Sequence, residues 1–201
     1  MKKYFKWFVF SICLIIFLIL SILVLNRRDF YLDNFVYSFI SKFITNNLTN
    51  IIKYMTYIGS AIAVISITLI VLIFFKNKKY GIYLTIDLII ITIIQLVLKS
   101  IFSRSRPVEI NLIEETGYSF PSGHSLTSMA FYGLLIYLIY VSSLSKSSKT
   151  IFITLLVLLI MVTGISRIYL GVHYATDVIG GFTFGISYLI IYTNLIKKRL
   201  I

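Results

Sequence analysis

Six apolar runs follow one another along this chain, each close to the ~20 residues that let a helix cross about 30 Å of hydrocarbon. The first follows Met1-Lys2-Lys3 and extends to Leu25. The others run from Tyr57 to Phe75, Tyr80 to Ile101, His124 to Val141, Thr150 to Ser166 and Tyr174 to Ile196. A chain built this way is expected to be all-α: a six-transmembrane-helix bundle, one domain over residues 1–201. Composition agrees. Hydrophobic residues make up 59% of the chain, against roughly 45–50% in a soluble domain, and only 13% are charged. So much apolar surface needs lipid as its solvent. The first run is too long for the apolar region of a signal peptide, and no small-residue cleavage site precedes Asn26-Arg27-Arg28, so it is expected to stay as an uncleaved helix.

A net charge of +12 raises nucleic acid as a partner, but the lysines form short clusters between apolar runs rather than one basic face. Such clusters fix topology in a membrane. With the N-terminus inside, inner segments hold eleven lysines and arginines and outer segments eight, and no acid falls in an inner loop. Both termini are expected in the cytoplasm. Between the first two runs Leu32, Phe35, Phe39 and Phe43 recur at helical spacing, with Asp33, Asn34 and Ser41 on other faces. This predicts a short amphipathic helix at the outer surface, within a segment 30–56 that serves either packing or lipid access. The single cysteine, Cys13, lies in the first run and reads as a small buried hydrophobe.

Three polar segments stand out, because polar groups are costly beside a bilayer. The first is Lys99, six residues, then Arg106-Pro107. The second is Pro121-Ser122-Gly123-His124. The third is Ser166-Arg167, five residues, His173, three residues, then Asp177. Alternating crossings put all three on the outer side. The only two histidines and the only two prolines of the chain fall in these segments.

Lys99, Arg106 and Arg167 can neutralise a phosphate group, the arginines through planar forked donors. Pro121-Ser122-Gly123 reads as a helix start, where backbone N–H groups and the helix dipole attract an anion. His173 and Asp177, four apart, would share a helix face. The carboxylate would hold one ring nitrogen and aim the other at phosphorus, activating a nucleophile. His124 would protonate the leaving oxygen, then deprotonate water. Arg104 sits beside the site, as a contact to a lipid headgroup or as a solvent-facing group. No carboxylate cluster suited to magnesium lies nearby, so no metal and no cofactor is expected. Asp87 lies twelve residues before Lys99, about 18 Å along a helix, too far for the site. An inner-loop lysine or a neighbouring hydroxyl is its expected partner.

The three segments closely resemble the signature motifs of the type-2 phosphatidic acid phosphatase superfamily, matching every defining position in order from Lys99 to Asp177. The resemblance implies a phosphohistidine at His173, oriented by Asp177, with His124 as acid then base. It also implies phosphate binding by Lys99, Arg106, Ser122, Gly123 and Arg167. The expected activity is hydrolysis of lipid phosphates or diphosphates at the outer face of the cytoplasmic membrane. Phosphatidylglycerophosphate, phosphatidic acid and undecaprenyl diphosphate are the candidate substrates. The stretch from Glu115 to Phe120 looks like that of bacterial members with broad lipid-phosphate activity. The alternative is a non-catalytic lipid transporter or scramblase. It would need polar residues along the membrane interior, whereas here they gather at one end.

Overall fold

The structure is a computed structural model that describes residues 2–28, 30–75, 77–107 and 111–200. Among the described residues there are eight α-helices and no strand: α1 (Lys2–Leu25), α2 (Tyr31–Ile40), α3 (Asn46–Thr56), α4 (Ala61–Phe74), α5 (Lys78–Phe102), α6 (Gly123–Val141), α7 (Lys146–Tyr169) and α8 (Ala175–Leu200). Short 3-10 turns, Ser41–Phe43 and Tyr57–Gly59, extend α2 and α3. Helices α1, α5, α6, α7 and α8 are each long and apolar enough to cross a membrane. Their outward faces carry exposed Ile22, Ile93, Leu96, Leu155 and Leu195, as lipid-facing walls must.

The expected second span differs. Tyr57–Phe75 is not one helix: the chain breaks at Ser60, which is extended and caps α4 by accepting from the Ala63 amide. Helix α4 then has 14 residues, about 21 Å at 1.5 Å per residue, short of the hydrocarbon thickness. A sixth crossing exists only if α3 and α4 count as one span bent by 48°. The break coincides with a close approach to α7. A Cβ on Gly59 would lie 2.3 Å from Cγ2 of Thr163.

Helix α6 is the centre of the bundle and packs on α5, α7 and α8, while α1 covers α8. Lipid tails are as apolar as leucine, so close fit and interhelical hydrogen bonds hold such helices together. Tyr132 Oη donates to the Ile58 carbonyl at 2.5 Å and Tyr192 Oη to the Tyr83 carbonyl at 2.7 Å. Gly181 and Gly185, four apart in α8, let that helix approach α6 closely. A Cβ on Gly181 would stand 2.8 Å from the Ser122 carbonyl oxygen and 2.9 Å from Ser125 Cβ.

The amphipathic helix is present as α2. Leu32, Phe35 and Phe39 are exposed, and the opposite face, with Val36, Tyr37 and Ile40, packs on Ile168, Ala175 and Val178 of α7 and α8. Asp33, on the packed side, is buried. Asp87 is fully buried in α5, and neither of its carboxyl oxygens has a hydrogen-bond partner among the described residues, so neither of its expected partners is met.

Candidate active site

Lys99 ends α5, Ser122-Gly123-His124 opens α6, Arg167 ends α7, and Asp177 lies in the first turn of α8. All three polar segments therefore meet at one end of the bundle. Phe120 pins the loop that carries the second of them. Its ring is fully buried against Phe17, Phe102 and Phe184, stacked 5.9 Å from Phe17 and edge-on 4.8 Å from Phe102. The Ser122 amide then donates to the Asp177 carbonyl at 3.0 Å, locking the start of α6 to the start of α8.

Ser122 caps α6 through its side chain, Oγ accepting from the Ser125 amide at 3.5 Å and also from the Ser125 hydroxyl at 3.0 Å. Its own N–H is taken by Asp177, contrary to a wholly open helix start. Gly123 and His124 stand in the first turn, where amides have no helical acceptor, so the amides open to an anion there are those of these two. Gly123 also passes close to α5: a Cβ would meet Gln95 Nε2 at 2.5 Å.

The His173–Asp177 pair forms, but not on one helix face. Helix α8 begins at Ala175, so His173 sits in the preceding turn and Asp177 reaches back to it. Nδ1 lies 3.5 Å from Asp177 Oδ2 and 3.3 Å from Ser119 Oγ. The turn is held by the Tyr174 amide donating to Oδ2 at 2.9 Å, and the Ser119 hydroxyl donates to the same oxygen at 2.5 Å. On the other side of the ring Arg106 Nη1 stands 3.1 Å from Nε2. A guanidinium has no acceptor, so Nε2 presents its lone pair and the proton resides on Nδ1, toward Ser119 and Asp177. Burial pushes the His173 imidazole down, against the upward pull of Asp177 and with a further downward push from Arg106 and Arg167, to about 4. The ring is thus neutral near pH 7, with a lone pair aimed at the cation cluster.

That cluster is held open by carbonyls and one carboxylate. Arg106 donates to the carbonyls of Gly117, Thr116 and Val172 at 2.9 Å each, and Lys99 Nζ to the Tyr118 carbonyl at 2.8 Å. Arg167 is fully buried. It pairs with Glu115 and donates to Thr56 Oγ1 at 2.9 Å, while its Nε has no partner. Burial alone would raise the Glu115 carboxyl, but Arg167, with His124 and Arg106, draws it below the usual carboxylate range. His124 stands where two spaces meet. One is a cavity of about 300 Å3 lined by Lys53, Thr56, Ser60, Glu115 and Arg167. The other is an apolar groove of about 630 Å3 between α4 and α5, with Val64, Leu69, Leu72 and Ile89 in its walls.

The family model described as the PAP2 superfamily matches residues 79–201, more than half of the chain. The chain belongs to the PAP2 superfamily. It is a membrane phosphatase. It is 32% identical over 144 residues to phosphatidylglycerophosphatase B of Bacillus subtilis, covering 69% of this chain and 70% of that one. It is 31% identical over 212 residues to undecaprenyl-diphosphatase of Sulfolobus acidocaldarius, covering 98% and 97%. The fold superposes with a TM-score of 0.81 on the crystal structure of a transmembrane PAP2-type phosphatidylglycerolphosphate phosphatase from Bacillus subtilis, at 24% identity over 92% of this chain and 96% of the other.

Within this PAP2 site the structure brings together every residue that the three motifs singled out. It adds Ser119, Glu115 and Thr56, which touch His173, Asp177 and Arg167 directly. It also directs Arg104 inward. Nη1 donates to Asp177 Oδ1 at 2.6 Å, and Nη2 to Asp33 Oδ2 at 2.8 Å. The signal for Ser119 and Glu115 lay in the stretch before Pro121. Thr56 and Asp33 had none, since their partners lie between 71 and 143 residues away.

Proposed function

We propose that this protein hydrolyses lipid phosphates or diphosphates without a metal, through a phosphohistidine on His173. One observation carries the reading: Nε2 of the buried His173 faces Arg106 of the cation cluster, and Arg167 of the same cluster lines the polar cavity that meets the apolar groove at His124. The groove suits the hydrocarbon chains and the cavity suits the headgroup, with His124 at their junction. Nε2 of His173 attacks phosphorus as Arg106 turns from the ring to a phosphate oxygen. Lys99, Arg167 and the amides of Gly123 and His124 take up the remaining negative charge. The P–O bond to the lipid breaks, and its oxygen takes a proton from His124. Water, deprotonated by His124, then attacks phosphorus, releasing phosphate and restoring His173. Asp33, Glu115 and Asp177 are each paired with an arginine, and among the described residues no group of three ligating side chains is gathered for a divalent ion.

The two sequence relatives are named for phosphatidylglycerophosphate and undecaprenyl diphosphate, and both classes pair a phosphate with long hydrocarbon. The purified protein is expected to release phosphate from phosphatidylglycerophosphate, phosphatidic acid or undecaprenyl diphosphate with chelator present, and to be inhibited by orthovanadate. Five-coordinate vanadate mimics the transition state, and such mimics bind more tightly than substrate. Activity lost to chelator and restored by magnesium would end the reading, and a transporter or scramblase would show no release at all.

We place the site at the outer face of the cytoplasmic membrane, on the charge bias of the loops. Glu114 is exposed beside the cation cluster. A Glu114→Cys variant, made in a Cys13→Ala chain, is expected to react with a membrane-impermeant maleimide in intact cells. Reaction only after permeabilisation would invert the topology.

A further inference from the structure

Behind Asp177, on the side away from His173, lies a group of charges that the phosphate chemistry above does not use. Asp33 is 5% exposed, although it belongs to α2, a helix whose opposite face is apolar and exposed. Its Oδ1 accepts from the Thr176 amide at 2.8 Å, and its Oδ2 accepts from Thr176 Oγ1 at 2.8 Å and from Arg104 Nη2 at 2.8 Å. Arg104 Nη1 bonds Thr176 Oγ1 at 2.8 Å and Asp177 Oδ1 at 2.6 Å. The guanidinium lies over the Tyr174 ring, 4.0 Å from its centre, so its plane is fixed. A buried carboxylate is not kept in such a place without pairing, and here the pairing runs in a line: Asp33, Arg104, Asp177, His173.

We infer that Asp33 is a positioning residue for the attack by His173, acting through Arg104 and Asp177; this rests on the phosphohistidine reading. Two effects combine. Asp33 holds one arm of the Arg104 fork, so the other arm meets Asp177 Oδ1 and leaves Oδ2 turned toward the ring. It also balances charge. With Asp33 ionised, the group Asp33–Arg104–Asp177 carries one net negative charge, opposite the positive charge that the imidazole gains when Nε2 bonds to phosphorus. Without that charge, Arg104 draws fully on Asp177 and the group is neutral, so the cationic ring loses its counter-ion. The phosphate-binding cations stand on the other side of His173 and are untouched.

The test is rapid-quench measurement of acid-labile phosphoenzyme with p-nitrophenyl phosphate, on the full chain in detergent or nanodiscs. Asp33→Asn is expected to slow phosphorylation about 10–100-fold, the usual cost of losing a partner behind a working group, with KM within about twofold of the native value. Arg104→Gln is expected to slow it as well. In the Arg104→Gln background Asp33→Asn should add nothing, because residues acting in one chain are not additive. A native phosphorylation rate in Asp33→Asn, an equal slowing in both backgrounds, or a loss that tracks the folded fraction alone would overturn the inference. If the native protein itself forms no phosphoenzyme, the phosphohistidine reading falls first and this inference with it. Should Asp33→Asn not fold, a native rate in Arg104→Gln would overturn the relay by itself.

Discussion

His173→Ala is expected to abolish phosphoenzyme formation with every substrate, whereas His124→Ala should lose it only where the leaving group needs a proton. The difference follows from what each ring faces. In the proposed mechanism Nε2 of His173, which faces Arg106, is the attacking atom, so no leaving group, however good, can replace it. His124, which lines the apolar groove, is the proposed proton donor to the departing lipid oxygen. Proton transfer of this kind is typically worth 10²–10⁴-fold. A lipid alkoxide needs that proton and a nitrophenolate does not. With p-nitrophenyl phosphate the His124→Ala protein should therefore show a phosphorylation burst near the native rate. Hydrolysis of the phosphoenzyme should then be slow, because water has lost its base. Rapid-quench detection of acid-labile phosphate separates the two steps. A phosphoenzyme in His173→Ala, together with none in His124→Ala on the activated substrate, would reverse the two assignments.

How much of this site could be read from the sequence follows from where the polar residues stand. In a chain this apolar, Lys99, Arg106, His124, Arg167, His173 and Asp177 are conspicuous, since each is costly beside lipid. Their loops fall at one end once the runs are folded back and forth. Span lengths were legible for the same reason, and α5 to α8 differ from the expected runs by a few residues at their ends. The break at Ser60 was not. Hydropathy runs on through it, and the break coincides with a close approach of Gly59 to Thr163 that exists only in the packed bundle. His173 was expected on a helix because a spacing of four fits one turn; the same spacing also fits a turn whose amide donates back to Asp177. Asp33 looked like the polar flank of an interfacial helix. That it is buried and paired depends on how α2 docks on α8, a choice of partner that no local pattern encodes.

Asp177→Asn is expected to reduce phosphorylation of the enzyme about 10³–10⁴-fold, an effect between those of the two histidines on the activated substrate. In serine hydrolases the same exchange behind a histidine costs about 10⁴ because it leaves the wrong tautomer. The contacts here give the same result by the same logic. Asp177 Oδ2 already accepts from the Ser119 hydroxyl and the Tyr174 amide, and Nδ1–H points toward it. An asparagine can keep its oxygen on Arg104 and turn its NH2 toward His173. The ring must then shift its proton to Nε2 to accept from the amide, and the attacking lone pair is gone. Alternatively the amide oxygen faces His173 and its NH2 opposes the Arg104 guanidinium, donor against donor. In neither orientation does a negative charge face the ring as it becomes cationic. Binding should suffer far less, because Lys99, Arg106 and Arg167 keep their partners, so vanadate affinity should weaken more than affinity for inorganic phosphate. The measurement is the phosphorylation rate of the purified variant at saturating p-nitrophenyl phosphate, with inhibition constants for both anions. A native phosphorylation rate in Asp177→Asn would mean that Ser119 alone holds Nδ1, and the pairing of His173 with Asp177 would then be structural.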